Sequence, residues 1–125
     1  MKIAFNDVVP IYIQIADAIE DDILTGKLRE GDNCYSQIQL AKELNINPAT
    51  AAKGIRLLVE RGVLNKVRGQ AMTVKENAVE MIKNRKLEQT LSDLIEGLVR
   101  EAKKLDISQE VLLEKIQQIY QKSES

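Results

Sequence analysis

Asn47-Pro48-Ala49-Thr50-Ala51-Ala52-Lys53-Gly54-Ile55-Arg56-Leu57-Leu58-Val59-Glu60-Arg61-Gly62 reads as a helix with both of its ends marked. Asn47 offers a side-chain oxygen as N-cap, and Pro48 suits the first helical position because it has no N–H to leave unpaired. Ile55, Leu58 and Val59 form the inner face, and Gly62 stops the helix. Immediately upstream, Ser36-Gln37-Ile38-Gln39 has the form of a capping box, with Ser36 as cap and Gln39 answering it. That box opens a short helix through Leu40, Ala41 and Leu44, and Asn45-Ile46-Asn47 leaves only a tight turn between the two helices.

Working outward, a first helix is expected from Pro10, with Ile11, Ile15, Ala16, Ile19, Ile23 and Leu24 along one stripe and Gly26 as a left-handed cap. After Gly62, residues 63–67 and 71–74 are β-prone runs around Arg68-Gly69-Gln70 and read as a hairpin. Three helices, a short turn between the second and third, and a hairpin describe a winged helix-turn-helix. The expected fold is therefore mostly α with a small β-hairpin wing.

Beyond Lys75 the pattern is purely helical. Val79, Ile82, Leu87, Leu91, Leu94, Leu98, Ala102 and Leu105 recur at steps of mostly three and four, widened by Ile95 and Val99. A further helix starts near Ser108 and carries Val111, Leu112, Ile116, Ile119 and Tyr120. Two helices cannot enclose their own apolar faces, and a symmetric copy is the simplest cover. The expected division is a winged helix-turn-helix over 1–75 and a helical dimerisation region over 76–125. Leu87, Leu91, Leu94, Ile95, Leu98, Val111, Leu112, Ile116 and Ile119 are expected at the dimer interface. Nothing in these stripes suggests a ligand box, so they name no small-molecule effector.

Absences in the 125-residue chain narrow its chemistry. There is no His and a single Cys34, which removes His-based nucleophilic catalysis and the usual zinc ligand sets. The six glycines form no phosphate-loop or dinucleotide pattern. No enzyme activity, cofactor or metal is expected. The start lacks a signal peptide and no apolar run is long enough to span a bilayer, so a cytoplasmic location without membrane contact is expected.

The formal charge of −1 hides an uneven distribution. Residues 42–75 hold Lys42, Lys53, Arg56, Arg61, Lys66, Arg68 and Lys75 against only Glu43 and Glu60, a net of +5. Residues 76–125 carry a net of −2. The basic excess coincides with the helix-turn-helix and hairpin, where double-stranded DNA would lie.

Several runs resemble the DNA-binding domain of the GntR family of bacterial transcription regulators. Pro10-Ile11-Tyr12-Ile13-Gln14-Ile15, the Gly26 to Asp32 loop, Ser36 with Leu40-Ala41, Asn47-Pro48-Ala49-Thr50, and Leu58 to Leu64 match its pattern. The two-helix tail is similar to that of the YtrA-like subgroup, where it serves dimerisation. The sequence departs from the family at Tyr35 (usually Pro), Ile38 (an Arg that reaches DNA), Ala51 and Ala71.

The resemblance implies DNA contacts at Asn47, Ala49, Thr50 and Lys53. The start of a helix entering the major groove also meets base edges on general grounds. Arg56 is a further candidate, although Glu60 four residues on could hold it in an ion pair. Ser36 sits at a helix N-terminus, where an anion binds. Arg68, Gly69 and Gln70 occupy the wing tip, where Arg68 can reach the minor groove or a phosphate. The function expected is sequence-specific transcription regulation, with repression as the default, by a homodimer on a palindromic operator whose half-sites lie about 34 Å apart. An alternative is a winged-helix interaction module that has lost DNA binding, motivated by Ile38 and the acidic overall balance.

Overall fold

The computed structural model describes residues 1–124, which divide into two compact units, one over Met1–Asn84 and one from Arg85 onward. The first unit opens with α1 (Ile11–Leu24), which buries Ile15, Ala16, Ile19 and Ile23. Pro10 stands one position outside α1 rather than at its first turn. Its carbonyl accepts from the N–H groups of Ile13 (3.1 Å) and Gln14 (3.2 Å). The N-cap suits proline because its own N–H is not needed there either. The Gln14 side chain donates to the carbonyls of Val9 (2.6 Å) and Asn6 (3.0 Å), tying the leading segment to α1.

Gly26 follows α1 at φ +84°, as its left-handed cap. In α2 (Gln37–Leu44), Ser36 Oγ accepts from the Gln39 N–H at 3.0 Å, so one half of the expected capping box forms. The other half does not. Gln39 turns its amide to Glu43 Oε1 (3.3 Å), one turn ahead, instead of back to Ser36. Asn45 takes a left-handed conformation, and α3 (Pro48–Glu60) starts on Asn47, whose Oδ1 accepts from the Ala49 N–H at 2.8 Å.

The wing is smaller in regular pairing than the sequence suggests: β1 (Leu64–Asn65) pairs antiparallel with β2 (Thr73–Val74). A third segment supports it. Asn33 bridges Thr73, the Cys34 N–H donates to the Met72 carbonyl (2.8 Å), and Val74 N–H donates to Asp32 (2.9 Å). The root of the wing is thereby held from both sides.

In α4 (Ala78–Arg85), Ala78 and Ile82 have no exposed surface and belong to the core of the first unit, with Val79 packed against it. Glu30 accepts from the N–H groups of Asn77 and Val79, both at 3.1 Å, and so caps the start of α4. Compaction therefore carries the first unit to Asn84, beyond the 75/76 division expected from the sequence. A π-helical segment follows (Lys86–Leu91), then α5 (Ser92–Lys104) and α6 (Gln109–Ser123), the last capped by Ser108 Oγ from the Val111 N–H at 3.2 Å. The step of five between Ile82 and Leu87 in the apolar pattern runs from α4 into the start of this wider-turned segment.

Candidate nucleic-acid interface

Helix α3 buries Ala51, Gly54, Ile55 and Leu58 and leaves Ala49, Lys53, Arg56 and Glu60 exposed at steps of four, three and four. The first turn adds Asn47, exposed, and Thr50, half-buried. The expected reading face is thus presented to solvent on one side of α3, with the helix N-terminus capped but open. Arg56 and Glu60 make no ion pair among the described residues.

Ser36 and Arg56 meet around one concavity of about 340 Å³, lined also by Tyr35, Ile55, Lys66 and Met72. The start of α2, the middle of α3 and the root of the wing thereby converge, and two cations flank a helix N-terminus there. Arg68, Gly69 and Gln70 lie apart from this concavity, all exposed at the wing tip. Gly69 has φ +77°, and the turn closes with Gln70 N–H on the Val67 carbonyl (3.0 Å), so an L-residue with a side chain would be strained there. Ile38 is 76% exposed on the first turn of α2.

Three charged or polar side chains behave differently from what their sequence positions suggest. Arg61 Nη1 lies 2.9 Å from Glu20 Oε1 and 3.0 Å from Asp17 Oδ1, both on α1. It is a structural ion, and it leaves Lys42, Lys53, Arg56, Lys66, Arg68 and Lys75 as the exposed basic set of this segment. Tyr35 donates its hydroxyl to Asp22 Oδ2 at 2.7 Å. Burial and that bonded carboxylate both raise its ionisation above the usual phenol range. Lys53 Nζ sits 4.2 Å from the centroid of the Tyr12 ring on α1, a contact that reasoning from local spacing missed because the partner lies on another helix. The only pointer to it was an aromatic at the start of α1.

Cys34 is buried and burial pushes its thiol up to about 11, partly offset by a backbone hydrogen bond at Tyr35, so it is a packed thiol rather than a reactive one. Among the described residues no group of three or more Cys, Asp or Glu could hold a metal ion, and no helix is long and apolar enough to cross a membrane.

The second unit leaves a different surface. Leu87, Leu91, Leu94, Ile95, Leu98, Val111 and Ile119 are each more than two-fifths exposed, and Leu112 and Ile116 are half-buried. α5 and α6 enclose an apolar concavity of about 380 Å³ between Leu98, Ala102, Ile107, Leu112 and Ile116. Among the described residues of this unit only Ala102 is buried.

Residues 11–74 match the model of the bacterial regulatory proteins of the gntR family. The chain is similar to the uncharacterized HTH-type transcriptional regulator YhcF of Bacillus subtilis, 30% identical over 112 residues that cover 90% of this chain and 91% of that one. It is 33% identical over 69 residues to the HTH-type transcriptional repressor YtrA of the same organism, covering 55% of this chain and 53% of YtrA, so it spans about half of that relative. Among solved structures, a GntR family transcriptional regulator from Listeria monocytogenes superposes with a TM-score of 0.76 at 30% identity, covering 91% of this chain and 98% of that chain.

Proposed function

Since this chain belongs to the gntR family of bacterial regulatory proteins, we propose that it acts in the cytoplasm as a homodimeric repressor of a palindromic operator. It is a DNA-binding transcription regulator with a winged helix-turn-helix fold. Asn47, Ala49 and Thr50 meet base edges from the first turn of α3, with Ala49 suited to a thymine methyl. Ser36, Lys53 and Arg56 take backbone phosphates, and Arg68, Gly69 and Gln70 place the wing tip against the minor groove. One observation carries this reading: a capped, solvent-presented start of α3 within a segment, residues 42–75, that exposes six cations in a chain of net charge −1.

The dimer is supported by the apolar surface of α5 and α6. Apolar side chains as exposed as Leu94 (66%) and Ile119 (69%) are costly to leave in water. A second copy would cover them symmetrically and pair two winged helices on two half-sites. Repression follows the likeness to YtrA, a transcriptional repressor.

The test is a fluorescence-anisotropy titration comparing duplex from upstream of the gene with a scrambled duplex at physiological salt. Selective, saturable binding that weakens steeply as salt rises is expected. Equal binding to both duplexes, or an affinity indifferent to salt, would overturn specific operator recognition.

A further inference from the structure

The 4.2 Å contact between Lys53 Nζ and the Tyr12 ring lies well inside the ~6 Å range over which a cation is drawn to the negative face of an aromatic ring. It depends on a close approach of two helices. A Cβ at Gly54 would stand 3.1 Å from the Tyr12 carbonyl oxygen and 3.1 Å from Ile15 Cγ2, so the bare glycine is what lets α3 lie this near α1. Lys53 is the neighbour of that glycine and is carried over the ring. Tyr12 is half-buried and held by the fold, while Lys53 is exposed.

We infer that Tyr12 is a positioning residue for DNA binding, its ring holding the Lys53 ammonium at the α1 side of the recognition helix to take a backbone phosphate rather than a base edge. This rests on the proposed role of Lys53 as a DNA contact. An ammonium resting on the Tyr12 ring lies on the α1 side of α3. It is a point charge with three donors, suited to phosphate oxygens and less so to the paired acceptors of a guanine edge. A lysine without the ring would lose more rotamer freedom on meeting its phosphate, and the ring lowers that loss in advance.

The experiment uses the full chain and a short mixed-sequence duplex over a salt series, since a phosphate contact requires no operator. Lys53→Ala is expected to weaken binding and reduce the salt slope by about 0.9 per subunit. Tyr12→Leu is expected to weaken binding about two- to five-fold, and Tyr12→Phe, which keeps the ring, to bind as the parent does. In a Lys53→Ala background Tyr12→Leu should add nothing. If Tyr12→Leu lowers the melting temperature, Tyr12→Met takes its place in the same comparisons. A silent Lys53→Ala overturns the Lys53 contact and this inference together. An effective Lys53→Ala overturns the inference alone in three cases: Tyr12→Leu is silent, Tyr12→Leu costs as much without Lys53, or Tyr12→Phe costs as much as Tyr12→Leu.

Discussion

Arg61 Nη1 lies 2.9 Å from Glu20 Oε1, and that carboxylate has no exposed surface. The pair fastens the C-terminal end of α3 to the middle of α1, with Asp17 as a second, more exposed acceptor. Breaking it takes a hydrogen-bonded cation from a fully buried carboxylate, which costs more than the pair contributes relative to an apolar replacement. Arg61→Ala is therefore expected to lower unfolding free energy by about 3 kcal/mol, read by urea denaturation. Its salt slope for DNA should match that of the parent, because this cation faces inward.

Gly54→Ala sets two effects against each other. Alanine favours a helix over glycine by up to about 1 kcal/mol, whereas its Cβ would press on the Tyr12 carbonyl and Ile15 at 3.1 Å. A backbone oxygen cannot move aside cheaply, so overpacking should win, with a net loss of about 1–2 kcal/mol. Thermal melts would show it, and a variant more stable than the parent would mean that α1 and α3 are not closely seated.

At Asn47, cap and base contact can be separated. Asn47→Ala removes the acceptor for the Ala49 N–H and should cost about 1 kcal/mol of stability. Asn47→Ser keeps a cap and should recover most of that loss. Operator affinity should stay reduced in both variants. Full recovery of affinity by serine would assign Asn47 to capping alone.

The Cys34 thiol ionises at about 11 in the folded chain against an ordinary value of 9.0. A folded-state value raised in this way favours the neutral thiol. Its stabilising contribution is fully present below pH 9.0 and is lost as pH rises toward 11. Parent protein should lose stability over that window faster than Cys34→Val, by up to about 1.4 kcal/mol per pH unit. Parallel pH profiles for the two would contradict the burial of this thiol.

On the tail, Leu98→Glu places a charge in the apolar surface proposed for the second copy. Light scattering should then report a monomer where the parent is a dimer, and operator affinity should fall by more than tenfold because one winged helix reads only a half-site. The melting of the first unit should be unchanged. A dimer that persists would move the interface elsewhere.

Much of the fold could be read from neighbouring residues. The start of α3 at Asn47-Pro48, the Ser36 cap, the left-handed Gly26 and the hairpin turn at Gly69 all follow from backbone groups that must be satisfied within three or four residues. The exposed stripe Ala49, Lys53, Arg56 follows from helical periodicity in the same way. These features are legible in the chain alone, since the atoms that decide them lie within one turn of it. Helix packing, in contrast, is what pairs Arg61 with Glu20, rests Lys53 on Tyr12, and puts Ile82 in the first unit's core while Leu87 is exposed on the chain's surface. Those outcomes turn on which helix faces approach each other and how closely. Gly54 sets that distance for α1 and α3, and the charge of a residue says nothing about it.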